Sequence, residues 1–103
     1  AHFTRAKGFD TFCPLGPFIQ TEFTSNPELN IKAYVNGDLK QDGNSRDMIY
    51  SIGEILEFVT SIMTLLPGDV VMTGTPEGVS QVKPGDEIKI EIETLGTLIN
   101  SVE

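Results

Sequence analysis

Three groups of residues in this 103-residue chain are of types that bind or stabilise an anion. The first is Lys7, set in Lys7-Gly8-Phe9-Asp10-Thr11-Phe12-Cys13-Pro14-Leu15-Gly16-Pro17. Gly and Pro break helices and strands alike, and a Lys–Asp pair resists burial, so this mixture predicts an irregular, buried loop that positions charge. A desolvated ammonium needs an anion, which could be Asp10, a metal-bound carboxylate or a substrate carboxylate. The second group is Gly74-Thr75-Pro76-Glu77-Gly78 at the end of an apolar run. Such a loop offers the amides of Gly74 and Thr75 and the Thr75 hydroxyl, with no Cβ at Gly74 to block approach. It reads either as a cradle for a carboxylate or oxyanion or as a plain turn at a strand end. The third is Gln41, whose amide both donates and accepts; it suits a substrate contact and equally a surface position.

Other chemistries find little support. Cys13 has no partner for an internal disulfide, in keeping with a reducing cytoplasm. Between Phe12 and Pro14 it reads as a small buried hydrophobe rather than a nucleophile, and His2, the only histidine, is far along the chain. There is no His pair, Cys cluster or EF-hand loop for a metal, and Glu87, Glu91 and Glu93 read as a solvated strand face. With seven Lys and Arg against 15 Asp and Glu, the net charge is −8, which argues against a nucleic-acid partner. No run is apolar for long enough to cross a bilayer, so no membrane partner is expected.

The elements that must hold these groups read as follows. Phe18 to Phe23 is expected as a short strand. Asn36-Gly37 between Ile31–Val35 and Asp38–Gln41 is a hairpin signal, because both turn residues need positive φ. Asp42-Gly43-Asn44-Ser45 is expected to turn again. Ser51 with Glu54 matches the capping box of a helix expected over 51–66 and stopped by Pro67-Gly68. Its apolar stripe of Ile52, Ile55, Leu56, Val59, Ile62, Met63 and Leu66 is expected to pack on a sheet. Asp69–Thr73 reads as a buried strand leading into the Gly-Thr-Pro loop. Lys83-Pro84-Gly85-Asp86 is a turn, Glu87–Glu93 alternates charged and apolar residues as a half-solvated strand does, and Thr97–Val102 is a last strand. One domain of α+β class, mainly β with one main helix, is expected.

Five blocks in order, K-G-F-D-T-F-C-P-L-G-P, V-N-G-D-L-K-Q, D-M-I-Y-S-I-G-E-I, L-P-G-D-V-V-M-T-G-T-P-E-G-V and K-P-G-D-E-I-K-I-E-I-E-T-L-G-T-L-I-N, resemble the fumarylacetoacetate hydrolase family over essentially the whole chain. The resemblance is to its small members, the acylpyruvate and fumarylpyruvate hydrolases and the isomerase/decarboxylases of aromatic breakdown. It implies the C-terminal part of a catalytic domain, a mixed-sheet β-roll that forms a homodimer. It also implies a Mg²⁺- or Mn²⁺-dependent enzyme acting on a small β-diketo or 2-oxo acid. Residue by residue, Lys7 matches the family lysine that stabilises anionic charge, and Gly74 and Thr75 match the loop that holds the substrate carboxylate. Asp10 and Thr11 lie in the lysine loop and shape it. The family's metal ligands, a Glu-x-Glu pair and an Asp, together with its His–Glu lid, precede the lysine loop and have no counterpart here. The chain, which does not start with Met, is therefore expected to be part of a longer polypeptide and inactive alone. Hydrolase, isomerase or decarboxylase, and a truncated structural homologue without catalysis, are the alternatives.

Overall fold

Asn36 and Gly37 take φ of 50° and 83°, the two positive values that a tight two-residue hairpin turn demands. They join β1 (Asn30–Val35) to β2 (Asp38–Asn44) in a computed structural model that describes residues 2–24 and 26–103. β3 (Glu87–Ile92) pairs with the other side of β1, and β4 (Gly96–Ser101) pairs with β3. The sheet order is β2-β1-β3-β4, antiparallel throughout.

Register divides the sheet cleanly. Ala33 stands opposite Gln41 and Ile90, Ile31 opposite Gly43 and Ile92, and Ile90 opposite Leu98, so these residues share one face. Lys32, Tyr34, Lys89 and Glu91 lie on the other. The alternation expected for Glu87–Glu93 is therefore present. On the charged face the Lys89 ammonium lies 4.3 Å from the Tyr34 ring centroid and 3.0 Å from a Glu91 carboxylate oxygen, and the Glu91 bond raises the Lys89 pKa.

A latch closes the sheet at the hairpin turn. Asn36 donates its side-chain amide to Asp86 Oδ1 at 2.9 Å, and the Glu87 amide donates to Asn36 Oδ1 at 2.9 Å. Asp86 belongs to the expected turn Lys83–Asp86, in which Pro84 is followed by Gly85 at φ 91° and the Lys83 amide donates to Asp86 Oδ2 at 3.0 Å. Asp86 is 7% exposed and Ala33 is 9% exposed; they are the buried residues among those described.

Three helical pieces complete the chain: α1 (Phe3–Lys7), a 3-10 turn (Ser45–Asp47) and α2 (Ile52–Ile62). The capping box is formed, with the Glu54 amide donating to Ser51 Oγ at 3.2 Å and the Ser51 amide donating to Glu54 Oε2 at 2.8 Å. The Ser51 amide, and then the Ser51 hydroxyl, which also donates to Glu54 Oε2 at 2.8 Å, hold the Glu54 carboxyl below its usual pKa.

Several expectations are corrected. α2 ends at Ile62 rather than Leu66, because Leu66 is taken by a turn of its own: its amide donates to Asp69 Oδ2 at 2.8 Å. The apolar stripe does not pack on the sheet. Ile52, Ile55 and Val59 are half-buried, while Leu56, Ile62, Met63 and Leu66 are exposed. Asp42, Gly43 and Asn44 continue β2 instead of turning, since Asn30, Ile31 and Lys32 pair with them. Phe18–Phe23 and Asp69–Thr73 form no strand, because neither has a neighbouring strand to complete its hydrogen bonds. The segment from Gly8 to Pro17 is exposed, not buried, and Cys13 with it.

One physical cause lies behind most of these departures. The accessible surface is 8546 Å², against ~5,700 Å² for a self-contained globule of this mass. The radius of gyration is 14.8 Å, where about 13 Å is usual for this length. Phe9, Phe12, Leu15, Phe18, Ile19, Phe58, Val70 and Met72 are all exposed. These residues have the composition of interior surface, and nothing among the described residues covers them.

Candidate substrate-binding site

The site begins with an irregularity in β2. Val35 pairs with Asp38 and Tyr34 with Leu39, but Ala33 pairs with Gln41, so Lys40 is an extra residue in the ladder. Without it, period-two alternation would put Gln41 on the charged face. With it, Gln41 joins Ala33 and Gly43 on the apolar face.

The Gly-Thr-Pro-Glu-Gly loop lies over that face. A Cβ on Gly43 would stand 3.3 Å from Pro76 Cγ, and a Cβ on Gly78 would collide with the Lys40 carbonyl oxygen. Gly78 also takes φ of 100°, so both its backbone and its surroundings require glycine. Gln41 then grips the loop. Its Nε2 donates to Thr75 Oγ1 at 2.8 Å and to the Pro76 carbonyl at 2.9 Å, with the Glu77 carbonyl at 3.3 Å. Gly74, at φ 93°, has open space where a Cβ would be. A held loop, an exposed threonine hydroxyl and an unobstructed glycine backbone together offer donors to an incoming oxygen anion.

The structure thus joins two of the residues expected from sequence, Gln41 and Thr75, across 34 positions, with Gly74 beside them. Lys7 and Asp10 are not bonded to this cluster. Lys7 is the exposed last residue of α1, its ammonium 5.4 Å from the Phe3 ring centroid, and Asp10 is exposed in the turn that follows. Neither has an ion pair or side-chain hydrogen bond to the other or to the Gln41 cluster among the described residues, so the Lys7–Asp10 pair considered from sequence is not formed. The sequence places Gly43 in an expected turn and Gly78 at the end of the loop, without the contact between loop and strand that both glycines make. Their signal was available in the two glycines flanking Gln41 and Thr75, but their role depends on contacts between distant segments.

Among the described residues no three of His, Cys, Asp and Glu converge on a point that could hold a metal ion. These residues do not fit a divalent cation by themselves. No helix among them is long and apolar enough to cross a membrane. An open hollow bordered by Pro27, Ser45, Met48 and Ile52 contains none of the candidate residues.

Comparison with known proteins places this geometry. The fumarylacetoacetate hydrolase C-terminal family description matches residues 1–103. An uncharacterised protein of Methanocaldococcus jannaschii is 52% identical over 100 residues, covering 97% of this chain and 42% of its own length. The 5-carboxymethyl-2-hydroxymuconate delta-isomerase of Mycobacterium smegmatis superposes with a TM-score of 0.88 at 45% identity, over 94% of this chain and 38% of that one. Maleylpyruvate hydrolase of Sphingobium sp. SYK-6, solved with manganese(II) and pyruvate, gives 0.85 at 42% identity, over 90% and 36%. The chain spans about two fifths of the length of such relatives. Such relatives therefore carry further chain beyond the part that matches, and with the family description matched over residues 1–103, this chain belongs to the fumarylacetoacetate hydrolase family.

Proposed function

We propose that these residues form the substrate-anchoring part of a divalent-metal-dependent enzyme that hydrolyses C–C bonds in small β-diketo or 2-oxo acids, of acylpyruvate or fumarylpyruvate type. The observation that carries the reading is the Gly74–Gly78 loop, tied down by Gln41 yet open at Gly74 and Thr75. The Gly74 and Thr75 amides and the Thr75 hydroxyl receive the substrate carboxylate. A donor held by its own scaffold is not reorganised when the anion arrives, which is where electrostatic stabilisation gains most. Lys7 supplies positive charge near the reacting end, and Asp10 shapes the segment that presents it. Ligands for the cation come from residues outside these 103 in this reading, and none of the steps assigned to this chain passes through the metal.

The likeness to a muconate isomerase favours a second reading, isomerisation or decarboxylation of the same class of acid, for which the same carboxylate grip serves. Thr75→Val in a catalytically complete protein tests both. It keeps the β-branched shape and removes one hydrogen bond to a charged group, worth about 1.5–3 kcal/mol, or roughly ten- to a hundredfold in kcat/KM. Kinetics on acylpyruvate and muconate-type substrates that match the unsubstituted protein would return the loop to an ordinary turn.

A further inference from the structure

We infer that Gln41 is a positioning residue that fixes the polarity of the Thr75 hydroxyl, turning its proton outward toward a ligand carboxylate. The inference rests on the reading of Thr75 just given and goes beyond it, because it assigns Gln41 no contact with substrate.

The orientation of the Gln41 amide follows from its surroundings. A glutamine side chain can be turned over, exchanging its oxygen and nitrogen. Here the atom at the centre of the cluster lies 2.9 Å from the Pro76 carbonyl oxygen and 3.3 Å from that of Glu77. Carbonyl oxygens only accept, so an amide oxygen at that position would face two like dipoles, whereas an amide nitrogen satisfies them. The nitrogen carries two protons, so the two short contacts take one each and the longer Glu77 contact is shared; the third neighbour, Thr75 Oγ1 at 2.8 Å, therefore accepts as well. A hydroxyl carries one proton and two lone pairs. With a lone pair committed to Gln41, its own proton points elsewhere, and the neighbouring Gly74 leaves open space in which an acceptor can be placed. A small 2-oxo acid presents an ionised, acceptor-only carboxylate, which matches a hydroxyl arranged as donor and would be repelled by one arranged as acceptor.

The extra residue Lys40 is what makes this possible, since it brings Gln41 onto the face under Pro76. Gln41 thus acts through Thr75, and its loss should change binding of the carboxylate more than the chemical step.

Gln41→Glu tests the polarity directly. It preserves size but, when ionised, accepts where Gln41 donates, so it takes the Thr75 proton for itself. In a catalytically complete protein the Kd for pyruvate, measured by titration calorimetry, should rise at least tenfold at neutral pH, with KM following and kcat changed less than threefold. As pH falls toward the carboxylic acid range the new side chain gains a proton to donate, and the deficit should shrink. The unsubstituted protein measured in parallel removes the contributions of the other carboxylates, including Asp42 next to Gln41 and Glu77 in the loop. In a Thr75→Val background, Gln41→Glu should add less than twofold. Should Gln41→Glu not fold, Gln41→Met removes the donor without charge and should give a smaller loss that Thr75→Val again abolishes.

A pyruvate Kd unchanged in Gln41→Glu, or a loss that adds fully to that of Thr75→Val, overturns the inference while leaving the carboxylate role of Thr75 standing. A loss in which kcat and KM change together, without recovery in acid, assigns Gln41 to loop stability alone. If Thr75→Val itself leaves pyruvate binding unaltered, the functional reading fails first, and the two failures remain distinct.

Discussion

The chain uses one four-residue turn twice, with opposite results. In Leu66-Pro67-Gly68-Asp69 and in Lys83-Pro84-Gly85-Asp86 the glycine takes positive φ, 96° and 91° respectively. In each, the aspartate amide donates to the first residue's carbonyl, at 3.0 and 3.1 Å, and its carboxylate receives the first residue's amide. A stretch rich in β-branched residues follows each turn, Val70-Val71-Met72-Thr73 after the first and the alternating Glu87-Ile88-Lys89-Ile90 after the second. After Asp86 it becomes β3, hydrogen-bonded on both sides. After Asp69 it becomes no strand, and Val70 and Met72 are 56% and 81% exposed. Local sequence is sufficient for the turn, but a strand also needs a neighbour to receive its amides and carbonyls. Residues 30–45 and 83–102 contain their own neighbours, whereas residues 8–24 and 63–82 present apolar side chains without such neighbours among the described residues.

Supplying those neighbours should have the largest effect. In the 103-residue chain by itself, amide exchange should be slow only in β1–β3 and unprotected at 70–73, with strong binding of an apolar dye. In a chain of the relatives' full length, residues 70–73 should become as protected as β3 and the dye signal should vanish. Equal protection of both stretches in the short chain would break the comparison.

Next in size is Gly78→Ala, which acts where the two regions touch. An alanine there must leave φ near +100° and meets the Lys40 carbonyl, so about 1–3 kcal/mol of stability should be lost and the Gln41–Thr75 bond should open. Chemical denaturation would measure the first, and reduced affinity for pyruvate the second. A neutral substitution would mean that the loop does not rest on β2 as described.

The smallest effect separates the twin turns themselves. Hydrogen bonds from the Asn36 side chain and then from the Lys83 amide hold the Asp86 carboxyl below its usual pKa. A depressed folded pKa gives stability that is fully present above the unfolded value, about 4, and is lost as pH falls through the folded value. Asp86→Asn should therefore lower stability at neutral pH and flatten its decline below about pH 4. Asp69→Asn, in a turn where the carboxylate receives the Leu66 amide but has no counterpart to Asn36 among the described residues, should lower stability at neutral pH less. Denaturation midpoints of Asp86→Asn from pH 7 to 2.5, with both variants compared at pH 7, would show the difference, and equal losses at pH 7 would remove the distinction drawn between the turns.

What could be read from sequence divides along the same physical line. The Asn36-Gly37 hairpin, the Ser51–Glu54 cap and the Lys83–Asp86 turn depend on residues a few positions apart, and all three are formed. The stretches at 18–23 and 69–73 have the composition of strands, yet strand formation is a property of a pair, and composition does not say whether the partner is present. Thr75 and Gln41 were legible as residues suited to bind an anion. Their bond was not, because it depends on a single supernumerary residue, Lys40, that shifts the face on which Gln41 emerges. Nothing in Asp38-Leu39-Lys40-Gln41 announces which residue will be the odd one.

That odd residue has a consequence for how the molecule meets its own copies. β2 is the outer strand of the sheet, and a regular outer strand offers evenly spaced amides and carbonyls on which another chain can add itself. The step at Lys40 interrupts that spacing, and the bulge increases local twist, so an incoming strand could follow β2 for only a few residues on either side before losing step. The irregularity that delivers Gln41 to Thr75 thereby also makes β2 a poor template for strand addition, in a molecule whose exposed apolar loops already offer surface for association.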